Sequence, residues 1–175
     1  MAATVQVVER NGASPGVQTV DPANLNMGSD DSYEIVPATY PITAQADGHA
    51  FEKWLQVYVS ALGGSSIIDN IKIWLSSLGG GWATGEGMST NLRTSSYGGA
   101  ETYADPIETD SLVADQAMPE SEPAGANLGI GGALVGTITS VPSYSDYAIL
   151  QLDVTAATPA GALNAKTFTF QYDEQ

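Results

Sequence analysis

An antiparallel two-sheet β-sandwich with long loops, in a jelly-roll or an immunoglobulin-like Greek-key order, is the fold class that this sequence predicts. Three observations carry it: two adjacent runs that alternate with period two, turn signals between short apolar segments along the chain, and the absence of an amphipathic helical repeat. The alternation is clearest from Phe51 to Ser77, where FEKWLQVYVSAL and IIDNIKIWLSS flank Gly63-Gly64-Ser65-Ser66. Leu55, Val57, Val59 and Ala61 fall on one side of the first run, and Trp54, Gln56, Tyr58 and Ser60 on the other. In the second, Ile71, Ile73 and Leu75 alternate with Lys72, Trp74 and Ser76. Successive side chains of a strand point to opposite faces, so each run reads as a half-buried strand and the two together as a central pair. Val, Ile, Tyr and Trp also suit a pleated, packed surface.

The remaining elements follow in order. Residues 3 to 9 alternate weakly and predict a first strand that ends at Asn11-Gly12. Pro15-Gly16 and Asp21-Pro22 punctuate the stretch up to Tyr33, so residues 1–33 are expected to be a strand followed by an extended arm or loop. Residues 34–175 are then the sandwich domain. Tyr33 to Ala46 predicts a strand pair, YEIV and TYPITAQ, kept at an edge or rim because Pro37 and Pro41 cannot donate to a ladder. Residues 79–110 carry Gly79-Gly80-Gly81, Gly85, Gly87 and Gly98-Gly99, and are expected to form a glycine-rich flap. Within the acidic stretch Glu101 to Pro123, Ser111 to Met118 reads as a strand. Ile130 to Ile138 reads as a glycine-bearing strand, Asp146 to Thr155 as a strand with Ala148, Leu150, Leu152 and Val154 buried, and Thr167 to Tyr172 as the closing one.

Composition narrows the function. One domain of 175 residues can bury a core without staples. There is no cysteine, so disulfides and thiolate chemistry are excluded. Five Lys and Arg face twenty Asp and Glu, a formal charge of −15. Binding to nucleic acid draws on basic side chains that displace counterions from phosphate, so DNA and RNA are not expected partners, and an anionic membrane surface is disfavoured by the same sign. No window approaches the roughly 20 apolar residues of a membrane helix, and the N-terminus lacks the pattern of a secretory signal.

Catalytic centres fail mostly by subtraction. The single histidine, His49, follows Asp47-Gly48 and reads as a solvated turn residue; no serine sits in a Gly-x-Ser-x-Gly elbow. One histidine is too few for a zinc site. Glu52, Asp69 and Asp153 lie in or beside strands, where a pair about 5 to 9 Å apart would suit glycoside hydrolysis. Trp54 and Trp74 would be a matching sugar platform, although tryptophan in a strand is more often packing. Asp30-Asp31, or Asp105 with Glu108 and Asp110, offers clustered oxygens of the kind calcium takes, in no EF-hand spacing. Asn127 to Gly132 lacks the lysine and the following helix of a phosphate loop, and a strand closely approached by another backbone explains its glycines. No cofactor is assigned.

With FEKWLQVYVS, IDNIKIWLSS, NLGIGG and the closing KTFTFQYDEQ on the page, the chain resembles the small β-sandwich structural proteins of tailed-phage particles, of which capsid decoration (cement) proteins are one group. The likeness covers residues 51 to 78 and 127 to 174. It implies a non-enzymatic protein of the virion, made in the host cytoplasm, that binds the major capsid protein or other virion proteins, often as a symmetric homo-oligomer. The motifs are packing motifs, so no site residue carries over. The irregular stretches 1–33 and 79–110 hold apolar side chains at intervals, and Val17, Val20, Leu25, Trp82, Leu92, Tyr97 and Tyr103 are the expected interface residues.

Overall fold

A computed structural model describes residues 1–12, 16–44, 48–94 and 116–175. The described residues form ten strands and no helix: β1 (Thr4–Asn11), β2 (Val17–Val20), β3 (Gly48–His49), β4 (Lys53–Ala61), β5 (Ile68–Ser77), β6 (Glu86–Thr94), β7 (Gln116–Ala117), β8 (Ser143–Tyr144), β9 (Tyr147–Val154) and β10 (Thr167–Glu174). Two antiparallel sheets result. The larger runs β2-β1-β4-β9-β6-β7, with β3 added to β9 and β8 added to β4; the smaller is β10-β5. The expected two-sheet sandwich is the architecture found.

The core lies between the sheets. Leu55, Val57 and Val59 of β4 and Ala148 and Leu150 of β9 face Ile71, Ile73 and Leu75 of β5, all at 1 % exposure or less. Burying each of these larger aliphatic side chains contributes about 1.5–3 kcal/mol, which makes this layer the main source of cohesion. β4 is buried on its second face as well. There Trp54 packs edge-on against Tyr147, with ring centroids 5.4 Å apart, and Ile149 completes a separate cluster.

Several sequence expectations are corrected. The two central runs are not hydrogen-bonded neighbours: β4 belongs to the large sheet and β5 to the small one. The Gly63-Gly64 corner carries the chain across. Gly63 has φ of +63°, and a Cβ there would strike the Met1 and Ala2 backbone, so only glycine fits this turn. Alternation describes a strand's own faces and is blind to its partners. Residues 33–44 contain no strand, because Glu34 takes a left-handed conformation and Thr39 and Tyr40 donate backward to the Val36 carbonyl, closing a turn between the two prolines. The glycine-rich flap is overturned over part of its length: β6 lies inside the large sheet, paired with β9 and β7. Ile130 to Ile138 is a turn rather than a strand. Gly131 and Gly132 have positive φ, Ile130 and Ala133 exchange backbone bonds, and Ile138 bridges Ile68. Of the expected strand Ser111 to Met118, Gln116–Ala117 is β7, and residues 111–115 lie outside the described residues.

Candidate functional site

Between the sheets lies a groove of about 940 Å³. Among the described residues the second sheet is two strands wide, and these leave part of the large sheet's inner face without a facing strand. Val7 of β1, Met88 of β6, Leu152 and Val154 of β9, and Phe168 and Phe170 of β10 line its walls. Loops 21–27, 37–44 and 158–166 form the rim. No residue of β5 takes part, so the groove lies on the side of β10 away from its strand partner. A concave, largely apolar space of this size is the usual form of a binding site.

Polar groups are held around it rather than inside it. Asp21, at the end of β2 with φ of +50°, accepts from the Gln6 side chain at 2.8 Å and the Val7 amide at 3.2 Å, and so ties the 21–27 loop to β1. At the rim Lys166 pairs with Glu86 and lies over the Trp82 ring, 4.7 Å from its centroid. The indole N–H of Trp82 donates to Glu120 at 2.7 Å.

Another part of the inter-sheet layer is charged. Glu9 and Lys53, both fully buried, form an ion pair at 2.9 Å; Asn11 donates to the same Glu9 oxygen, and Lys53 also donates to the Ser32 carbonyl. Asp31 accepts from the Gly12 amide and from Asn11. Burial holds the Asp31 carboxyl above the ordinary carboxylate value, although those two hydrogen bonds and the Lys53 charge pull it down. This layer fixes β1 on β4 with charge where its neighbours use apolar contact.

The candidate catalytic residues are not brought together. His49 is not a solvated turn residue: it lies in β3 opposite Asp153, and its Nδ1 is 2.6 Å from the carboxylate. Ser89 donates to the other oxygen of Asp153 at 2.6 Å, so serine and histidine share the carboxylate and the hydroxyl is not bonded to the imidazole. A nucleophilic triad needs the hydroxyl on the ring. Glu52 is fully buried and accepts from the Trp54 indole at 2.9 Å, whereas Asp69, in the small sheet, accepts from Gln175. Trp54 is 2 % exposed on the large sheet and Trp74 is half-buried on the small one, so they make no common platform. Asp30 accepts from the Ser32 amide, and Asp105, Glu108 and Asp110 lie outside the described residues. Among the described residues no three metal-ligating side chains cluster. The backbone approach expected to explain the glycines of Asn127 to Gly132 is not what the structure shows: a Cβ at Gly129 would meet the Asp146 side-chain carboxylate, and Gly131 and Gly132 have open space around them and positive φ, the requirement of a turn.

The expected interface residues separate. Val17 and Val20, on the edge strand β2, are 71 % and 42 % exposed. Leu25 lines the groove, and Trp82 packs at its rim. Leu92 is corrected: at 1 % exposure it belongs to the core, because β6 is an inner strand. Tyr97 and Tyr103 lie outside the described residues. The groove itself was missed. Its walls come from β1, β6, β9 and β10 together, and no local pattern shows that these four strands border one space. No protein-family model, curated protein or solved structure matches this chain.

Proposed function

We propose that this chain is a non-enzymatic structural protein of a phage particle, most simply a capsid decoration protein that braces the shell by contacts across subunit boundaries. The observation that supports it best is where the chain leaves apolar surface uncovered: in a groove between stiff sheets and on the edge strand β2, rather than around a set of reactive side chains. A net charge of −15 keeps such a protein soluble at the high local concentration that assembly needs. The partners on this reading are the major capsid protein or other virion proteins, and a symmetric homo-oligomer is the expected form on the particle.

The test is co-sedimentation of purified chain with phage particles lacking it, followed by counting copies per particle. Saturation in proportion to the shell subunits supports decoration, and a handful of copies moves the protein to the neck, tail or fibre. Absence from every particle fraction overturns the virion reading. Deleting residues 1–20 is not a usable probe, since it removes β1, which pairs with β4 from Thr4 to Arg10. Val17→Asp with Val20→Asp is the better variant: it places charge on the exposed edge and leaves the core intact.

A further inference from the structure

We infer that β10 is an acceptor strand, and that the groove beside it takes an extended segment of a partner protein with apolar residues at alternate positions and Lys or Arg between them. The inference deepens the binding role proposed above and does not depend on the partner being a virion protein.

The first argument is the direction of the backbone groups. In an antiparallel ladder, opposed residues either exchange both hydrogen bonds or neither. Ile73 directs its amide to the Asn127 side-chain oxygen and its carbonyl to the Asn127 side-chain amide, both at 2.8 Å. The Leu75 amide donates to the Pro119 carbonyl at 2.8 Å. These groups face away from β10, so their opposites, Phe170 and Phe168, form non-bonded pairs with β5. The N–H and C=O groups of Phe168 and Phe170 therefore point to the free edge. Among the described residues β5 is the only strand that pairs with β10. The outer edge of β5 is closed by Asn127 and Pro119, whereas no described strand pairs with the outer edge of β10, although unpaired strand edges are normally covered or blunted.

The second argument is that edge and groove coincide. A strand added to β10 would run about 4.8 Å from it, and every second side chain would point inward between the sheets. That space is the groove, lined by Val7, Leu25, Met88 and Leu152 on the far side from β5. No described strand occupies this place beside β10, and apolar side chains line it. Strand addition of this kind draws affinity from main-chain bonds and specificity from alternate side-chain pockets.

The third argument chooses the occupant. Two copies of a chain of charge −15 repel, and Lys53, Lys72 and Lys166 each already hold a carboxylate. Asp21 on the rim, and Asp173 and Glu174 at the end of β10, accept from uncharged groups (the Gln6 side chain and Val7 amide, Asn70, and Ser65 with the Ala3 amide), so their negative charge is left to attract a cationic segment. Charge complementarity thus favours a basic partner over a second copy.

The probe is a synthetic peptide, Lys-Val-Thr-Val-Lys-Val-Thr-Val-Lys, added to the full chain and read by amide hydrogen exchange. The expected result is slowed exchange at Phe168 and Phe170 with little change at Thr169, whose amide belongs to the β5 side. The same peptide N-methylated at alternate residues along its pairing edge should bind about tenfold more weakly, the loss of one or two net main-chain bonds. Equal binding after N-methylation, or binding without protection of the two amides, overturns strand addition. Equal binding of the version with Glu in place of Lys overturns the basic partner. A dimer of the chain alone, with both amides already protected, would overturn it in favour of a second copy. Palmitate that fills the groove and excludes the peptide without protecting the amides would make the groove a lipid site and would also overturn it. Particle co-sedimentation and peptide protection are separate measurements, so failure of one reading leaves the other standing.

Discussion

β4 and β10 have equally clear alternation in the sequence and opposite positions in the fold. β4 is paired along both edges, by β1 on one side and by β9 and β8 on the other, and six of its nine residues are buried, Lys53 to Val59 without the half-exposed Tyr58. Among the described residues β10 has one strand partner, and none of its own residues is fully buried. The comparison teaches what a strand owes to its position. A strand enclosed on both faces and both edges must satisfy every polar group it carries from within the protein, as Lys53 does through Glu9 and Ser32, and Gln56 through the Ser145 carbonyl at 2.7 Å. An edge strand leaves such groups to water or to a partner.

The largest expected effect breaks β4 at its charged end. Lys53→Met should destabilise the fold by about 3–5 kcal/mol, because it leaves the Glu9 carboxylate buried without its counter-charge. Urea denaturation reads this directly. Adding Glu9→Leu should restore much of the loss, since a buried ion pair replaced by apolar groups of similar volume is often neutral. A double variant as unstable as Lys53→Met alone would show that the pair is not what sets the cost.

On the other face of β4, Trp54→Phe should cost about 1–3 kcal/mol, because it removes an indole donor to the buried Glu52 carboxylate while keeping an aromatic ring against Tyr147. Thermal unfolding with and without the substitution tests it. An unchanged midpoint would mean that Glu52 does not depend on the indole.

These two sites show how far the sequence could be read. Alternation placed Leu55, Val57 and Val59 together because it is a property of one strand. The same alternation puts Lys53 on the inward face with them but could not reveal what lets a charge sit there, because its counter-charge, Glu9, lies 44 residues away on β1. Nor could it separate β4 from β5, since a Gly-Gly corner serves a hairpin and a crossing between sheets alike. β6 was hidden for a related reason: Glu86, Ser89 and Asn91 do not mark a strand, and its inner position is set by pairing with β9. Where proline and glycine dominate, at 33–44 and 130–138, local turn chemistry overrode the apolar content. The groove was illegible because its walls come from β1, β6, β9 and β10, strands far apart in sequence.

The two-stranded sheet should give smaller effects. Trp74 sits half-buried on β5 opposite Thr169 of β10. Trp74→Ala is expected to cost only about 1 kcal/mol, since a side chain that keeps much of its contact with water loses correspondingly little on truncation. A loss of about 3–5 kcal/mol in urea unfolding would be that of a core aromatic, and would mean that the small sheet is covered on both faces.

The last effect is one of pH, and it bears on the charged end of β4. Asp31 has its pKa raised above 3.8, chiefly by burial, with the Gly12 amide, Asn11 and Lys53 acting the other way. A carboxyl group that binds its proton more tightly in the folded chain than in the unfolded one favours the fold while it is protonated. That contribution is fully present below the unfolded value and declines as pH rises through the folded one. Asp31→Asn cannot titrate at this position, and the other carboxylates titrate in both proteins and cancel in the difference. The melting temperature of the wild-type chain should therefore fall relative to that of Asp31→Asn as pH rises from below 3.8, and then level off. Circular dichroism melts across that range measure the gap. A gap that moves the other way would mean that the Gly12 and Asn11 hydrogen bonds outweigh burial, and that this end of β4 is held by the ionised carboxylate.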